Sequence, residues 1–321
     1  MTAAAPIMFD RATGQLTGAG MMERAAVAAL RAGSKVTHRF EHRGYSLGCR
    51  IVSTMVEQRE IIVRLNDDSV FAFPLADAYW SRMLNRRYVY EEELDRFLRV
   101  VAGVDYAFID CGANFGLWSV LASSREFGRH PALAIEASPD NAIKLRRNAE
   151  LNGQRFEVMN RAIGGATGGT ARMSGRKHEA LSIIPDGGPT SGEEVAIIAL
   201  DSLLDDGHVT PSQRIVIKLD VEGVEIEALK GGQRLLAGDA VVICEEHGSD
   251  RNHTLTRYLM DETACHIFML DPTTQKFEQV RDVAALDRIK VMSWVGYNVF
   301  ATKSAFWEKH LLSMMPLAAT I

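Results

Sequence analysis

Apolar positions along the chain follow two different rhythms, and the change falls near Tyr106. Before it the runs are irregular. Residues 1–20 are small and polar, with Gly14, Gly18 and Gly20, and read as a loose lead-in. Residues 21–31 are rich in Ala, Leu and Arg and predict a helix that stops at Gly33. Residues 46–56, 61–65 and 70–73 are short apolar runs separated by turn residues such as Asn66-Asp67-Asp68, and predict an antiparallel meander. Helices are predicted over 76–87 and 91–101. The second carries three glutamates in its first turn, where the helix dipole favours negative charge, and ends at Gly103.

From Tyr106 onward, continuous apolar runs alternate with longer mixed stretches. Residues 106–111 predict a buried parallel strand that ends in Asp-Cys-Gly. A helix over 116–127 and a strand over 132–136 follow. Ser138 reads as an N-cap with Pro139 at the first helical position, and that helix runs to about residue 151. Residues 156–159 predict a third strand. The glycine-rich stretch 164–199, with apolar runs at 182–184 and 195–198, reads as a hairpin insertion. Further strands are predicted at 214–219, 240–245, 266–270 and 293–301, with helices at 224–236 and 255–262. Strands alternating with helices of this length imply right-handed crossovers and a mostly parallel sheet covered on both faces.

Composition narrows the class. The chain has 321 residues, 47% hydrophobic and 24% charged, with a net charge of −5. That excludes a disordered chain, a collagen-like chain and a strongly basic nucleic-acid coat protein. Cys49, Cys111, Cys244 and Cys265 lie far apart with no C-x-x-C pair, so neither a zinc ribbon nor a disulfide scaffold is indicated. The uncharged stretch 311–321 is too short to span a bilayer and contains Pro316. With no secretory signal visible, cytoplasmic residence is the expectation.

The sharpest chemical feature is Asp110-Cys111-Gly112-Ala113-Asn114-Phe115-Gly116, at the end of the first strand of the alternating region. Gly112 and Gly116 permit a tight turn with a ligand against the backbone, and the next helix offers free N–H groups. Glu136 ends the following strand, where a carboxylate can accept both hydroxyls of a ribose. A pyrophosphate prefers three glycines and no adjacent negative charge. Here Asp110 opens the turn and Asn114 stands where a middle glycine would be. An acidic turn suits a cationic ligand end, which points to S-adenosylmethionine rather than NAD. Phe115 and Trp118 read as core-facing or groove-lining residues, with the core favoured.

Lys218, Asp220 and Glu222 alternate at the end of the fourth strand and so point the same way. Glu245, Glu246 and His247 end the fifth. A histidine beside carboxylates at a strand end is a candidate base. Asp220, Glu222, Glu246 and His247 could also supply ligands to a divalent metal, but spacing alone defines no metal site. Arg24, Arg31, Lys35, His38, Arg39, His42, Arg43 and Arg50 make the front of the chain locally positive, as a phosphate on the acceptor would require or as a solvated face would show. Tyr79, Trp80, Tyr88 and Tyr90 could line an acceptor groove or pack in a core.

These strings resemble the FkbM family of S-adenosylmethionine-dependent methyltransferases. The resemblance rests on residues 108–116, on Glu136-Ala137-Ser138-Pro139 with Asn148 and Leu151-Asn152, and on Ala162-Ile163-Gly164. It also rests on Leu200-Asp201-Ser202-Leu203, residues 218–225, Leu229-Lys230-Gly231 and Glu245-Glu246-His247. It covers roughly residues 90–250. It implies a Rossmann-like class I methyltransferase sheet, α/β and mostly parallel, of seven strands with one late strand antiparallel. Residues 1–88 would then be an α+β extension covering the acceptor site or building a homo-oligomer, and 89–321 the methyltransferase domain. The family mostly O-methylates sugars and natural products. By that resemblance Asp110, Gly112, Asn114 and Gly116 surround the methionine portion, Glu136 holds the ribose, Ala137 is a further cofactor-binding residue, and the segment Asn160-Arg161-Ala162 lies against the adenine. His247 is the expected base. Asp220 orients it, or holds the acceptor or a metal. Lys218 or Glu222 positions the substrate. A nucleic-acid acceptor is disfavoured by the acidic net charge and by the lack of an Asn-Pro-Pro-aromatic string. A non-catalytic protein on this fold is disfavoured by the presence of both Asp110 and Asp220.

Overall fold

The computed structural model of the chain describes residues 5–57, 59–174, 182–184, 194–289, 292–293 and 295–313. They group into a small unit, Met1–Tyr90 with Lys144–Gln154, and a large one, Glu91–Ile143 with Arg155–Ile321.

The small unit holds a four-stranded sheet in the order β2-β1-β3-β4. The strands are β1 (Ile7–Asp10), β2 (Leu16–Thr17), β3 (Glu60–Arg64) and β4 (Val70–Pro74). The segment 1–20 is therefore no loose lead-in. Ile7 and Phe9 are buried while Met8 between them is exposed, and β1 lies parallel to β3. Helix α1 (Met21–Thr37) runs straight through Gly33. Its first turn is fixed by Glu23, which accepts the Gly20 N–H at 2.6 Å and pairs with Arg59 at 2.6 Å. Residues 46–56, expected as a strand, are instead helix α2 (Tyr45–Met55). Its buried residues, Tyr45 and Cys49, are four apart, the helical period. Between 76 and 87 only a short 3₁₀ turn, Trp80–Leu84, forms.

β4 is an edge strand, and unpaired strand edges invite unwanted pairing. Two asparagines close it. Asn148, on the helix Pro139–Leu151, accepts the Ala72 N–H at 2.7 Å and donates to its carbonyl at 3.1 Å. Asn152 does the same for Val70, at 3.0 and 2.7 Å. Side-chain amides four residues apart, one on the helix and one in the turn just after it, thus stand in for a neighbouring strand.

The large unit opens with helix α3 (Glu92–Val100), and its main sheet has eight strands. In space the order is β15 (Lys276–Val280), β14 (His266–Asp271), β16 (Tyr297–Thr302), β13 (Ala240–Glu246), β12 (Ile215–Leu219), β5 (Ala107–Cys111), β6 (Ala132–Glu136) and β7 (Glu157–Asn160). From β13 to β7 all neighbours are parallel, while β16 runs antiparallel to β13 and β14. β5, β6 and β12 are buried at every position, which is why their sequences read as unbroken apolar runs. The seven expected strands gain an eighth, β15, antiparallel to β14 at the sheet edge. Helix α4 (Leu117–Ala122) is shorter than expected, and a 3₁₀ turn at Arg125–Phe127 follows. Helix α5 (Pro139–Leu151) has the anticipated bounds. Residues 162–198 build a second, four-stranded sheet from β8 (Ala162–Ile163), β9 (Thr170–Ser174), β10 (Ser182–Ile184) and β11 (Glu194–Ile198). The helix expected over 224–236 breaks at Gly231-Gly232 into Glu225–Lys230 and Gln233–Leu236.

One face of the main sheet packs Ile109, Ile135, Ile217, Val242 and Val299 into a single apolar cluster with Leu203, Leu229 and Leu259. β5 sits at the point where the winding reverses. The chain passes outward through β6 and β7, then returns to place β12 and β13 on the other flank of β5. Open α/β sheets bind ligands outside the carboxyl ends of the strands at such a point. Among the described residues, no helix is long and apolar enough to cross a membrane.

Candidate active site

The carboxyl ends of β5, β6, β12 and β13 carry most of the cofactor and catalytic candidates singled out from the sequence. The turn after β5 is forced by backbone proximity. Gly112 has φ +79°, and a Cβ there would lie 1.7 Å from the Asp220 carbonyl oxygen, so only glycine fits. The Asp220 N–H donates to the Cys111 carbonyl at 3.0 Å, tying the two strand ends together. Asn114 follows in a left-handed conformation (φ 52°), which asparagine tolerates better than most residues. Its N–H donates to Glu136 Oε2 at 2.7 Å, and the Ser138 N–H donates to Glu136 Oε1 at 2.8 Å. Burial raises the Glu136 carboxyl to about 7 despite these N–H donors and Asn141. With three donors on its two oxygens, the carboxylate keeps an open lone-pair site. Asp110 is buried, and its Oδ2 accepts from Ser119 Oγ at 2.7 Å. Burial pushes its carboxyl up, while Lys218 on the adjacent strand opposes the shift.

Around Lys218 the charges do not balance. Its ammonium lies 2.8 Å from Asp220 and 3.9 Å from Glu91. Burial would strip its proton, but Asp220, Glu91 and Asp110 together hold it well above the usual lysine range. Glu91, Asp220 and Glu245 bring one carboxylate oxygen each to within 4.8 Å of one another. Glu91 Oε2 accepts from the Trp118 indole N–H, and Oε1 accepts from Asn298 Nδ2 at 3.2 Å. Burial, with Asp220 adding to it and Lys218 opposing, raises Glu91 to about 7. Burial followed by Asp220 and Glu91 pushes Glu245 well up. Glu222, half-buried with φ 55°, is raised to about 7, first by burial and then by Asp220, while His247 pulls it back. One buried ammonium thus faces Glu91, Asp110, Asp220 and Glu245, with Glu222 and His247 at the rim. Carboxyls outnumber cations at such a site, and a cationic ligand there would favour their ionised forms. The Glu91, Asp220 and Glu245 oxygens are also a donor set of the kind that hard divalent cations take.

The sequence-derived residues sort cleanly by position. Asp110, Gly112, Asn114, Gly116 and Glu136 are brought together at the β5–β6 edge, and Lys218, Asp220 and Glu222 at the end of β12. His247 is exposed just beyond β13, and among the described residues its ring has no hydrogen-bond partner. Glu246 leaves the group. It accepts the Thr256 N–H at 3.0 Å and hydroxyl at 2.5 Å, fixing the start of helix Thr254–Glu262 on the other face of the strand. Strand alternation sends Glu245 to the site in its place. Arg161 is exposed, and its N–H reaches the Glu136 carbonyl at 3.2 Å. Ala162 is buried in the apolar cluster of the second sheet, against which Ala137 packs. Phe115 and Trp118 are both buried. Glu91 and Asn298 escaped the sequence reading. Glu91 looked like the first of three dipole-complementing glutamates, and only the fold sets it against residues more than a hundred positions away.

A strand order in which β7-β6-β5-β12-β13 is continued by an antiparallel β16 and then β14 defines a class I methyltransferase sheet. Residues 110–274 match the methyltransferase FkbM domain, just over half of the chain, and the chain belongs to that family. Among solved structures it resembles methyltransferase FkbM from Methylobacillus flagellatus KT, at 17% identity and a TM-score of 0.37, over 61% of this chain and 43% of that one. This chain therefore spans less than half of that protein's length. It also resembles precorrin-6y C5,15-methyltransferase from Geobacter metallireducens GS-15 (17% identity, TM-score 0.35, 68% of this chain and 92% of that one). A third is a putative tRNA (m1A22) methyltransferase from Streptococcus pneumoniae (13% identity, TM-score 0.37, 72% of this chain and 74% of that one). No curated protein sequence matches the chain.

Proposed function

We propose that the chain is an S-adenosylmethionine-dependent O-methyltransferase whose acceptor is a hydroxyl of a sugar or glycan. The observation that carries this reading is positional. An acidic glycine turn and the Glu136 carboxylate stand side by side at the carboxyl edge of β5 and β6, where the winding of the sheet reverses. The donor set suits this cofactor, because excess carboxylate favours a sulfonium and an ammonium, and Glu136 can still accept from a ribose hydroxyl. Bound there, the cofactor supplies an activated methyl group on a sulfonium.

Asp110, Gly112, Asn114 and Gly116 would hold the methionine end. Glu136 and Ala137 would hold the ribose, and the exposed Arg161 would flank the base. The remaining task is to align a poorly acidic hydroxyl and take its proton. His247, exposed and beside Glu222, would accept that proton. Asp220, fixed by Lys218, orients the acceptor from the next strand end. Glu222 holds the rim side of the acceptor. A second reading rests on the pKa of Glu222: a half-buried carboxylate raised to about 7 is itself poised as a base.

The test is calorimetric titration with S-adenosylmethionine and with NAD, followed by methyl transfer to sugar, phenol and RNA acceptors. Binding of S-adenosylmethionine alone, with transfer to sugars, is expected. Binding of NAD, or transfer only to RNA, would overturn the reading.

A further inference from the structure

The small unit presents an apolar surface that its own fold leaves uncovered. Met21, Val36, Phe40, Leu47, Ile51 and Met55 are each more than half exposed. Met21 and Val36 lie on α1, Phe40 on the 3₁₀ turn His38–Phe40 that follows it, and the other three on α2. On α2, Leu47, Ile51 and Met55 recur every four residues and form one stripe opposite the buried Tyr45 and Cys49. Between the helices runs a groove of about 310 Å³ whose lining includes Ala29, Gly33, Gly44 and Gly48. A soluble monomer seldom leaves so many large apolar side chains together in water.

The exposed charges around this surface are mostly positive. Arg24, Lys35, Arg39, Arg43 and Arg50 are exposed within the same segment, and Glu41 is its exposed acid. Its other acid, Glu23, is held by Arg59. Apolar side chains bordered by cations on a helical pair are what an interfacial membrane element requires. The apolar tips enter the acyl boundary, while Lys and Arg meet anionic headgroups. A second copy of the chain fits less well. A two-fold contact would press the same cations against one another, with Glu41 as the exposed offset.

We propose that the helical pair of residues 21–55 docks the protein on an anionic lipid bilayer, so that the enzyme works at a membrane surface. The proposal concerns the small unit alone and stands whatever the acceptor is.

The test is flotation of the full chain with vesicles of pure phosphatidylcholine, and with vesicles in which phosphatidylglycerol replaces about a third of it. Binding is expected to the anionic vesicles only, and to weaken as salt screens the charges. Each exposed Lys or Arg at a membrane surface contributes roughly fivefold, so Lys35→Gln with Arg39→Gln should weaken binding roughly 25-fold. Replacing Phe40, Leu47 and Ile51 together with Ser should weaken it by about tenfold or more, with an unchanged circular dichroism spectrum. The salt series on the unaltered protein needs no variant and guards against misfolding of either one. Absence of binding to anionic vesicles, or equal binding to neutral ones, would overturn the proposal. So would a dimer in sedimentation that the Leu47→Ser and Ile51→Ser changes split, since the surface would then belong to a second copy.

Discussion

The two units bury their apolar residues by different routes. In the large unit, β5, β6 and β12 are enclosed on both faces, and their sequences are unbroken apolar runs punctuated by Gly, Asp and Pro. In the small unit, α1 and α2 bury only one side and leave Leu47, Ile51 and Met55 in the open. The same apolar letters therefore mean enclosure in one region and a surface in the other. Buried charge differs in parallel. Glu23 and Arg59 of the small unit form a simple matched pair, whereas Lys218 faces Glu91, Asp110, Asp220 and Glu245. The unmatched cluster lies where the sheet offers a binding edge, which is where strained electrostatics point to function rather than stability.

The largest expected effect tests the catalytic half of that contrast. His247→Ala should lower turnover by about 10²–10⁴-fold while leaving cofactor affinity and fold intact. Steady-state kinetics with calorimetry check this. If Glu222→Gln removes turnover while His247→Ala does not, Glu222 is the base.

A matched pair of glycines sharpens the packing half. Gly112 and Gly44 both have positive φ, +79° and +86°. Alanine at Gly44 meets no neighbour and should cost about 1–2 kcal/mol for the left-handed backbone. Alanine at Gly112 adds a collision with the Asp220 backbone and should cost about 4 kcal/mol or more, abolishing cofactor binding as well. Urea unfolding of both variants measures the difference, and equal costs would mean that the β5 and β12 ends are not held together.

The pH dependence comes next. Glu91 has a native carboxyl raised from 4.5 to about 7, so between those values the native state holds a proton that the unfolded chain has released. Stability must therefore fall as pH rises through that window, by about 3 kcal/mol for this group alone. Glu91→Gln, which stays neutral, should flatten the slope between pH 4.5 and 7 in chemical denaturation. Glu23 of the small unit has its carboxyl lowered, chiefly by the Gly20 N–H, so its contribution is lost in the opposite direction, as pH falls below the ordinary carboxylate range. The smallest effect is on the cofactor: Glu136→Ala should weaken S-adenosylmethionine binding by about 1–3 kcal/mol, the cost of hydrogen bonds to a charged group. Titration calorimetry checks it, and unchanged affinity would remove Glu136 from the ribose site.

What the sequence determined by itself is the alternation of strand and helix from Tyr106 to Glu262, the turn at Asp110–Gly116 and the acidic ends of β6, β12 and β13. Doubly buried strands and capped helices write their limits locally: Ser138-Pro139 starts α5 because its first turn needs a cap and tolerates proline. β3 and β4 of the small unit were legible for a similar reason, with Asn66-Asp67-Asp68 marking the turn between them. Tertiary structure decided the rest. β1 is a strand because β3 lies beside it to accept its hydrogen bonds, and four residues with an aspartate at the end carry too little pattern to announce that. The α2 segment looked like a strand because its exposed stripe of Leu47, Ile51 and Met55 filled the gaps between the buried positions and hid the helical period. Glu91 and Asn298 joined the site only when chain ends from three distant segments met around Lys218. Local propensity acts over a few residues, whereas a charge cluster is assembled by strand order, and no spacing along the chain encodes which carboxylates will share one ammonium.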